Sequence, residues 1–348
     1  MTTLDVGRLV TGPVAIDTVD MHTGGEPVRI VTAGYPSIPG GTILDKRRYA
    51  LSHLDHLRTI LIFEPRGHYD MYGVIPVEPD LPDVDLAVLF MHNEGYSTMC
   101  GHATIALGRY AVDSGIVPAV SPETIVRLQC PCGVVRVRVA VEETPEGHAT
   151  GAVSFESVPS FAFLLDQVAD VPGVGRFAYD IGYGGAFYAL VDAASIGLDL
   201  TETPLADLVD AADRITKHVA ATVPLHHPDD ADLAFLYGTI LTDGGDGAGS
   251  SPSRNVCVFA EREVDRSPTG SGVCARIAVQ CARGLAIGQS RQFESLTGSV
   301  FSASPVSRER VGRFESVRVE VAGRAYYSGR SSFSVEPDDP LGGGFLLR

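Results

Sequence analysis

The sequence predicts an α/β protein built from two homologous domains that face each other. An internal repeat is the first reason: VDMHTGGEPVRIV, residues 19–31, parallels YDIGYGGAFYALV, residues 179–191. The second is a pair of helix entrances rich in small residues, at positions 100–102 and 269–272. The third is the alternation of short strand-like runs with a few helical stretches.

The elements of the first half follow in order from the residue pattern. The double glycine Gly24-Gly25 leads into the strand-like run VRIVTAG, and residues 42–57 form a helical pattern. A second helix is predicted from Gly101 to Ser114, because apolar residues recur at helical spacing and a glycine follows. TIVRLQC, GVVRVRVAV and ATGAVSFESV are then typical of strands.

The second half repeats this order. Its double glycine, Gly184-Gly185, opens the strand AFYALV. Residues 204–223 carry apolar side chains three and four positions apart, which predicts an amphipathic helix. A glycine-rich turn then precedes a helix from Gly270 to Arg283. Each half is therefore expected to hold a strand behind a double glycine and a later helix behind small residues.

Composition bounds the class of protein. The 348 residues are 45% hydrophobic and 20% charged, which is typical of a globular protein with room for two domains. No apolar run is long enough to cross a bilayer, and the N-terminus lacks the pattern of a signal peptide, so we expect no membrane partner and a cytoplasmic location. A net charge of −16 without Lys or Arg clusters disfavours nucleic acid as a partner.

The sequence predicts neither a metal nor a cofactor. Six cysteines do not form a disulfide scaffold in a chain of this size, and no second Cys pair completes a metal site. The chain also lacks a P-loop and a dinucleotide fingerprint. Most of its cysteines are interpreted as buried structural residues.

Cys100 is the exception among the cysteines. It lies just before GHATIALG, at a predicted helix N-cap, where unpaired N–H groups and the helix dipole favour thiolate and lower its pKa from about 8.5. Gly101 lets a ligand approach the backbone. A thiolate there is a nucleophile or a general base, and the alternative is a merely buried cysteine.

The second helix entrance favours a functional Cys100 over a merely buried cysteine. If the halves face each other, two helix N-termini converge on one cavity and can hold a carboxylate between them. One side chain then lies on each face of the bound molecule: Cys100 on one and Thr269 on the other. Two bases on opposite faces suit a racemase, whereas one base opposite a hydroxyl suits a different reaction.

Several segments, in the right order over almost the whole chain, resemble those of the proline racemase family: MHTGGEPVRI, EPRGHYDMYG, MCGHATIALGRY, YGGAFYALVD, DRSPTGSGV and DPLGGGF. The resemblance implies an α+β fold of two pseudo-symmetric domains. In each, mainly antiparallel strands surround a central helix, and the active site lies in the cleft between them. It also implies that the last strand returns to the first domain, which gives residues 1–158 plus 331–348 and residues 159–330.

The sequence departs from the racemases at two positions. Thr269 stands where proline racemases and 4-hydroxyproline epimerases have a second cysteine, and Ala103 where racemases commonly have glycine. Both departures resemble the trans-3-hydroxy-L-proline dehydratase branch of the family. The chemistry agrees, because a threonine hydroxyl is too weak an acid to exchange roles with a thiolate. A substrate with a β-hydroxyl gives the carbanion another exit: loss of water and formation of Δ1-pyrroline-2-carboxylate, without a cofactor.

The resemblance implies a role for each matching residue. Cys100 is the base at Cα, and Thr269 faces the opposite side of the ring. Four backbone amides hold the substrate carboxylate, and Asp265 contacts the ring nitrogen. Those four amides belong to Gly101, His102, Gly270 and Ser271. His102 and Thr269 are both candidates for protonating the departing hydroxyl.

Other interpretations remain open at this point. Asp265 could simply cap its turn, and His102 could be a solvated residue of a first helical turn. A racemase or epimerase acting through Cys100 is one rival function, and a non-catalytic imino-acid-binding protein is another. The imino acid is the expected partner in each case, and both a homodimer and a monomeric two-domain clamp fit the sequence.

Overall fold

The computed structural model describes residues 14–145, 147–249 and 251–347. The helices in this range are α1 (Ile43–His53), α2 (Asp55–Ile62), α3 (Gly101–Asp113), α4 (Leu205–Thr222) and α5 (Gly270–Ala282). The strands are β1 (Val14–Thr23), β2 (Glu26–Ala33), β3 (Gly73–Val77), β4 (Leu86–Met91), β5 (Tyr96–Ser97), β6 (Glu123–Cys130), β7 (Gly133–Thr144), β8 (Gly147–Glu156), β9 (Ser160–Val171), β10 (Gly175–Tyr183), β11 (Phe187–Asp192), β12 (Leu236–Thr242), β13 (Ser253–Phe259), β14 (Glu263–Asp265), β15 (Arg291–Glu294), β16 (Val300–Val311), β17 (Phe314–Gly323) and β18 (Ala325–Val335).

Two sets of strands each wrap around one buried helix. We call β1–β8 with α1–α3 the N-terminal half, and β9–β17 with α4 and α5 the C-terminal half. In the C-terminal half, hydrogen-bonded neighbours run β9-β10-β11-β12-β13-β15-β16-β17 and back to β9, which closes a ring against which α5 packs. In the N-terminal half, β1-β2-β3-β4-β6-β7-β8 curve around α3.

The two halves share one plan. The hairpin β1-β2 corresponds to β10-β11, and in each half a parallel neighbour follows: β3 beside β2, and β12 beside β11. A second parallel pair flanks each buried helix, β4 with β6 and β13 with β15, while the other pairings are antiparallel. The predicted fold class, two pseudo-symmetric domains of mainly antiparallel strands around a central helix, is confirmed.

The central helices are buried because small and apolar residues cover most of their surface, and the buried Arg276 of α5 hydrogen-bonds Asn255 and Ser253. All of Gly101–Gly108 and Gly270–Val279 lies in the interior. One continuous core joins both halves around these helices, and a smaller core lies under α1 and α2. A helix that is apolar over most of its surface has no stable place in solvent, so the strands close over it.

Three of the four predicted helices match the structure within one residue at each end. The fourth, over residues 42–57, was wrong in extent, because the chain leaves helical geometry at Leu54 and starts α2 at Asp55. A capping box between Thr42 and Asp45 begins α1. The Asp55–Arg58 ion pair opens α2, whose apolar residues extend the buried face to Ile62.

The last strand returns to the N-terminal half. β18 pairs with β1 along its whole length, from Val14 opposite Val335 to Thr23 opposite Ala325. The domain limits at 158 and 331 remain a prediction, and residues 1–13, 146 and 348 of the predicted first domain lie outside the described residues. No helix in the described part of the chain is long and apolar enough to span a bilayer.

Candidate active site

The two helix N-termini meet at a pair of glycines. A Cβ atom on Gly101 would lie 2.4 Å from the Cα of Gly270, and one on Gly270 would lie 2.7 Å from the Cα of Gly101. Two backbones can approach this closely only where neither carries a side chain. The first N–H groups of both helices have no acceptor within their own helix, so the contact collects donors and two positive dipole ends in one place.

Substitution at this contact has a clear expected cost. Gly101→Ala should force the halves apart and lower the free energy of unfolding by roughly 1–3 kcal/mol, because the added methyl overlaps backbone that cannot swing away. Urea denaturation measures this. Gly329→Ala, where a methyl meets open space, is the control and should change stability little. Equal stability of the two variants would contradict the contact.

Each double-glycine turn packs against the segment that precedes the other half's helix. Gly185 (φ +100°) would place a Cβ 2.7 Å from the Cγ of Met99, and its carbonyl accepts a hydrogen bond from the Thr98 hydroxyl at 2.8 Å. Gly24 (φ +64°) would place one 3.3 Å from the Cβ of Ser267. The repeat found in the sequence therefore builds a reciprocal contact, in which each half supports the other's helix entrance.

Cys100 and His102 form a pair at the start of α3. Cys100 is the N-cap residue, and its Sγ accepts the Ala103 N–H at 3.4 Å. His102 Nδ1 lies 3.1 Å from Sγ, and Nε2 lies 3.1 Å from the carbonyl oxygen of Pro27. That oxygen can only accept, so Nε2 carries the hydrogen and Nδ1 is free to accept the thiol proton. His102 is 2% exposed, so the solvated alternative for this residue is wrong.

The pKa of Cys100 differs from the expectation. Burial raises it well above its ordinary value, and the charges of Asp265 and Glu26 act in the same direction. The Ala103 N–H and a hydrogen bond with the Tyr72 hydroxyl lower it, but they do not outweigh burial. Burial also lowers the pKa of His102, so thiol and imidazole are both neutral at rest. The thiol therefore needs the neighbouring imidazole to become a base.

Thr269 occupies the equivalent N-cap of α5 with different geometry. Its φ of +67° is strained for a β-branched residue, and its N–H donates to the Ser267 hydroxyl at 3.1 Å. Unlike the Cys100 side chain, the Thr269 side chain makes no capping hydrogen bond. Its hydroxyl is buried and has no well-aligned partner among the described residues. It is thus a polar group held in the interior, where the buried Cys257 thiol interacts with it.

Asp265 and Ser271 lie beside this entrance, as predicted from the sequence. Asp265 ends β14, is 5% exposed, and accepts the Ser267 N–H at 2.8 Å, so it also shapes the turn. The Ser271 hydroxyl lies 2.7 Å from that of Tyr188. All the predicted site residues are thereby buried in one region where the two halves meet.

Three carboxylates accept hydrogen bonds from backbone N–H groups of the opposite half, and sequence reasoning missed all three. Asp70 accepts the N–H of Val264 at 3.1 Å, and Glu26 accepts the N–H of Arg266 at 2.7 Å. In the opposite direction, Glu263 accepts the N–H of Asn93 at 2.5 Å. We call Glu26, Asp70 and Glu263 the carboxylate latch. Each of these carboxylates therefore ties one half to a backbone N–H group of the other.

The latch makes stability depend on pH. Burial raises the pKa of Glu263 well above its ordinary value of 4.5, and the Asn93 N–H opposes this only in part. The folded state therefore holds this proton more tightly than the unfolded state, and stability falls as pH rises above about 4.5. We expect Glu263→Gln to be increasingly more stable than the wild type as the pH rises from 4.5 to 8. The difference in the free energy of unfolding should grow by about 1.4 kcal/mol per pH unit until the pH reaches the pKa of Glu263 in the folded state.

Denaturation in urea across this pH range measures the Glu263 effect. The control is Glu142→Gln at an exposed position of β7, which should leave the pH dependence unchanged. A difference between Glu263→Gln and wild type that does not grow with pH would contradict a buried, proton-holding Glu263.

Within the residues that the structure describes, no cluster of three or more His, Cys, Asp or Glu side chains could hold a metal ion. The described site combines the Cys100 thiol, the His102 imidazole and the buried Thr269 hydroxyl with backbone N–H groups and the carboxylate of Asp265.

Comparison with known proteins places the chain in a family. The profile described as proline racemase matches residues 18–346. The trans-L-3-hydroxyproline dehydratase of Pongo abelii is 55% identical over 97% of this chain and 96% of its own length. The trans-3-hydroxy-L-proline dehydratase of Homo sapiens is 54% identical over the same shares. A hydroxyproline epimerase from Agrobacterium vitis, solved with trans-4-hydroxy-L-proline bound, superposes with a TM-score of 0.90 at 27% identity, covering 97% of this chain and 96% of the other. From the matched segments, the shared fold and these relatives, the chain belongs to the proline racemase family.

Proposed function

We propose that this protein is a cofactor-independent hydro-lyase that converts trans-3-hydroxy-L-proline into Δ1-pyrroline-2-carboxylate. The observation that carries the proposal is the pairing of a thiol and a buried hydroxyl at two helix N-termini in contact. The dehydratases that are 54–55% identical over nearly the full chain support the same substrate and reaction.

Backbone and side-chain groups orient the substrate in this proposal. The free N–H groups of Gly101 and His102, with those of Gly270 and Ser271, bind the carboxylate between the two helix dipoles. Asp265 lies beside the same entrance, and its carboxylate suits the protonated ring nitrogen. The five-membered ring is then held with one face toward Cys100 and the other toward Thr269.

Proton removal begins with the Cys100–His102 pair. The thiol donates its proton to Nδ1 of His102, 3.1 Å away, and the Pro27 carbonyl stabilises the imidazolium through Nε2–H. The Ala103 N–H and the dipole of α3 stabilise the thiolate that results. The thiolate then takes the α-proton, while the amides at both helix starts stabilise charge that develops on the carboxylate.

The fate of the carbanion depends on Thr269. A hydroxyl with an ordinary alcohol pKa does not deliver a proton to Cα from the second face on the timescale of turnover. The carbanion therefore persists until the 3-hydroxyl leaves as water, and the enamine tautomerises to Δ1-pyrroline-2-carboxylate. Thr269 contributes by withholding a proton and by hydrogen-bonding the ligand from its own face.

The test is incubation of the purified protein with trans-3-hydroxy-L-proline in deuterated buffer, followed by proton NMR. Formation of Δ1-pyrroline-2-carboxylate without an added cofactor is the expected result. Intact substrate carrying deuterium at Cα would instead favour an epimerase. Neither change would overturn the enzymatic proposal and leave an imino-acid-binding protein.

A further inference from the structure

The substrate's stereochemistry constrains where the departing hydroxyl lies, if the proposed function holds. In a trans-3-hydroxy-L-proline ring, the carboxylate and the 3-hydroxyl lie on opposite faces. The α-hydrogen lies opposite the carboxylate, and so it shares a face with the hydroxyl. The base that removes the α-proton and the acid that protonates the hydroxyl must then act from the same side of the ring, which is the Cys100 side.

The two acids suggested by the sequence do not meet this requirement. Thr269 belongs to the other helix entrance and faces the opposite side of the ring. Both nitrogens of His102 are engaged by protein atoms, Nδ1 by the Cys100 sulfur and Nε2 by the Pro27 carbonyl. His102 is thus placed to exchange a proton with the thiol, and it has no ring nitrogen left for the substrate.

Tyr72 supplies a third acidic group, and it lies on the side of Cys100. Its side chain is 1% exposed, and its ring meets that of His102 edge-on at 4.8 Å between centroids. Its hydroxyl lies 2.6 Å from that of Ser97. Burial raises the pKa of Cys100, and a hydrogen bond with this same Tyr72 hydroxyl acts in the opposite direction, which places the phenol next to the sulfur.

We propose that Tyr72 is the catalytic acid that donates its proton to the departing 3-hydroxyl, on the face where Cys100 takes the α-proton. The Cα–H electron pair becomes the Cα=C3 π bond as the C3–O bond breaks, and the oxygen leaves with the phenol proton as water. The Cys100 thiol, formed when the thiolate takes the α-proton, returns that proton to the phenolate, and His102 then gives its proton back to the Cys100 thiolate. The α-proton is thereby exchanged for the phenol proton, and no external acid is consumed.

The surroundings of Tyr72 suit this role. Burial raises the pKa of its phenol well above the ordinary value, so that the group enters each cycle protonated. A buried phenolate would be costly if it persisted, and the adjacent thiol removes it. The Ser97 hydroxyl can donate to the phenolate oxygen at 2.6 Å while that charge exists.

Tyr72→Phe tests the proposal, because it removes only the hydroxyl. In deuterated buffer, elimination should fall roughly 100-fold or more, whereas deuterium should still enter Cα of the recovered substrate. Cys100 remains a base in this variant, and the carbanion returns to substrate. Ser97→Ala should show the same split with a smaller loss. Tyr96→Phe removes another buried hydroxyl, in the core under α1 and α2, and should leave both rates unchanged.

Each outcome separates the two proposals. Rapid elimination by Tyr72→Phe, or a parallel loss of elimination and exchange in a folded protein, overturns the role of Tyr72 alone. If Tyr72→Phe does not fold, the split in Ser97→Ala decides, and equal losses there also overturn it. Wild-type protein that forms no Δ1-pyrroline-2-carboxylate overturns the dehydratase proposal and the acid together.

A second substrate, used with the wild-type enzyme, tests whether the α-proton and the 3-hydroxyl must leave from the same face of the ring. In cis-3-hydroxy-L-proline, the hydroxyl lies on the face away from the α-hydrogen, and so away from Tyr72. The wild-type enzyme should still exchange the α-hydrogen of the cis isomer with solvent. It should eliminate water from the cis isomer at least about 100-fold more slowly than from the trans isomer. Comparable elimination rates for the two isomers would refute the arrangement.

Discussion

Cys100→Ala should abolish turnover of trans-3-hydroxy-L-proline, with a loss of roughly 10⁴-fold or more in kcat. In the proposed mechanism the thiol is the base at Cα, and it first gives its own proton to His102, 3.1 Å away. Alanine keeps the start of α3 intact, because the helix is fixed by its buried apolar surface. We therefore expect a loss of only about 1 kcal/mol in the free energy of unfolding. Single-turnover NMR with excess enzyme measures the chemical step, and far-UV circular dichroism checks the fold.

Cys281→Ala is the matched control for the loss of a buried thiol. Cys281 is 6% exposed and lies in the last turn of α5, at the end away from the helix entrance. Its substitution should leave kcat within about twofold of wild type, since surrounding packing alone is changed. Substantial turnover by Cys100→Ala would remove the thiol from the mechanism, and equal losses in both variants would show that packing is responsible.

Thr269→Cys should convert part of the dehydratase activity into proline racemisation. A thiol on the second face restores an acid that can protonate the carbanion at Cα before the hydroxyl leaves. We expect dehydration to fall roughly tenfold and slow racemisation of L-proline to appear. Chiral chromatography of proline after long incubation measures the new activity, and proton NMR measures the old one. Cysteine is not β-branched, so the positive φ at this position should strain it no more than it strains threonine.

Thr269→Val separates the gain of a thiol from the loss of a hydroxyl. Valine keeps the branched shape and offers no proton, so this variant should not racemise proline. If Thr269→Cys leaves dehydration unchanged and proline untouched, position 269 does not control the fate of the carbanion. If Thr269→Val racemises proline, the second acid lies elsewhere.

Much of the fold was accessible from the sequence, because the features that build it are local. The double glycines occur where the chain needs positive φ, at Gly24 and Gly185. Runs of small and apolar residues predict the central helices. The break at Leu54 was not accessible, since residues 42–57 keep a helical pattern across it. Both α1 and α2 pack against the smaller core, and local spacing does not reveal that they do so as two separate helices.

The site was accessible only where a motif marked it. Cys100, Thr269 and Asp265 stand in recognisable segments, and the structure brings their surroundings together. Tyr72 and Glu26 gave no comparable signal, although both lie in quoted segments, because their importance comes from distant contacts such as that of Glu26 with Arg266. The pKa of Cys100 was misjudged for a related reason: a helix N-terminus is visible in sequence, whereas the burial that outweighs it is not.

The two halves repeat one plan, but one helix entrance carries Cys100 and the other Thr269. The site should therefore treat the L and D enantiomers of an imino acid differently. The amides at the Gly101–Gly270 contact serve a carboxylate equally well in either hand of an imino acid. In the proposed orientation, the L form turns its α-hydrogen toward the thiol, whereas the D form turns it toward the hydroxyl. The pocket should thus admit both enantiomers and transform one, which makes the D isomer of the substrate a competitive inhibitor.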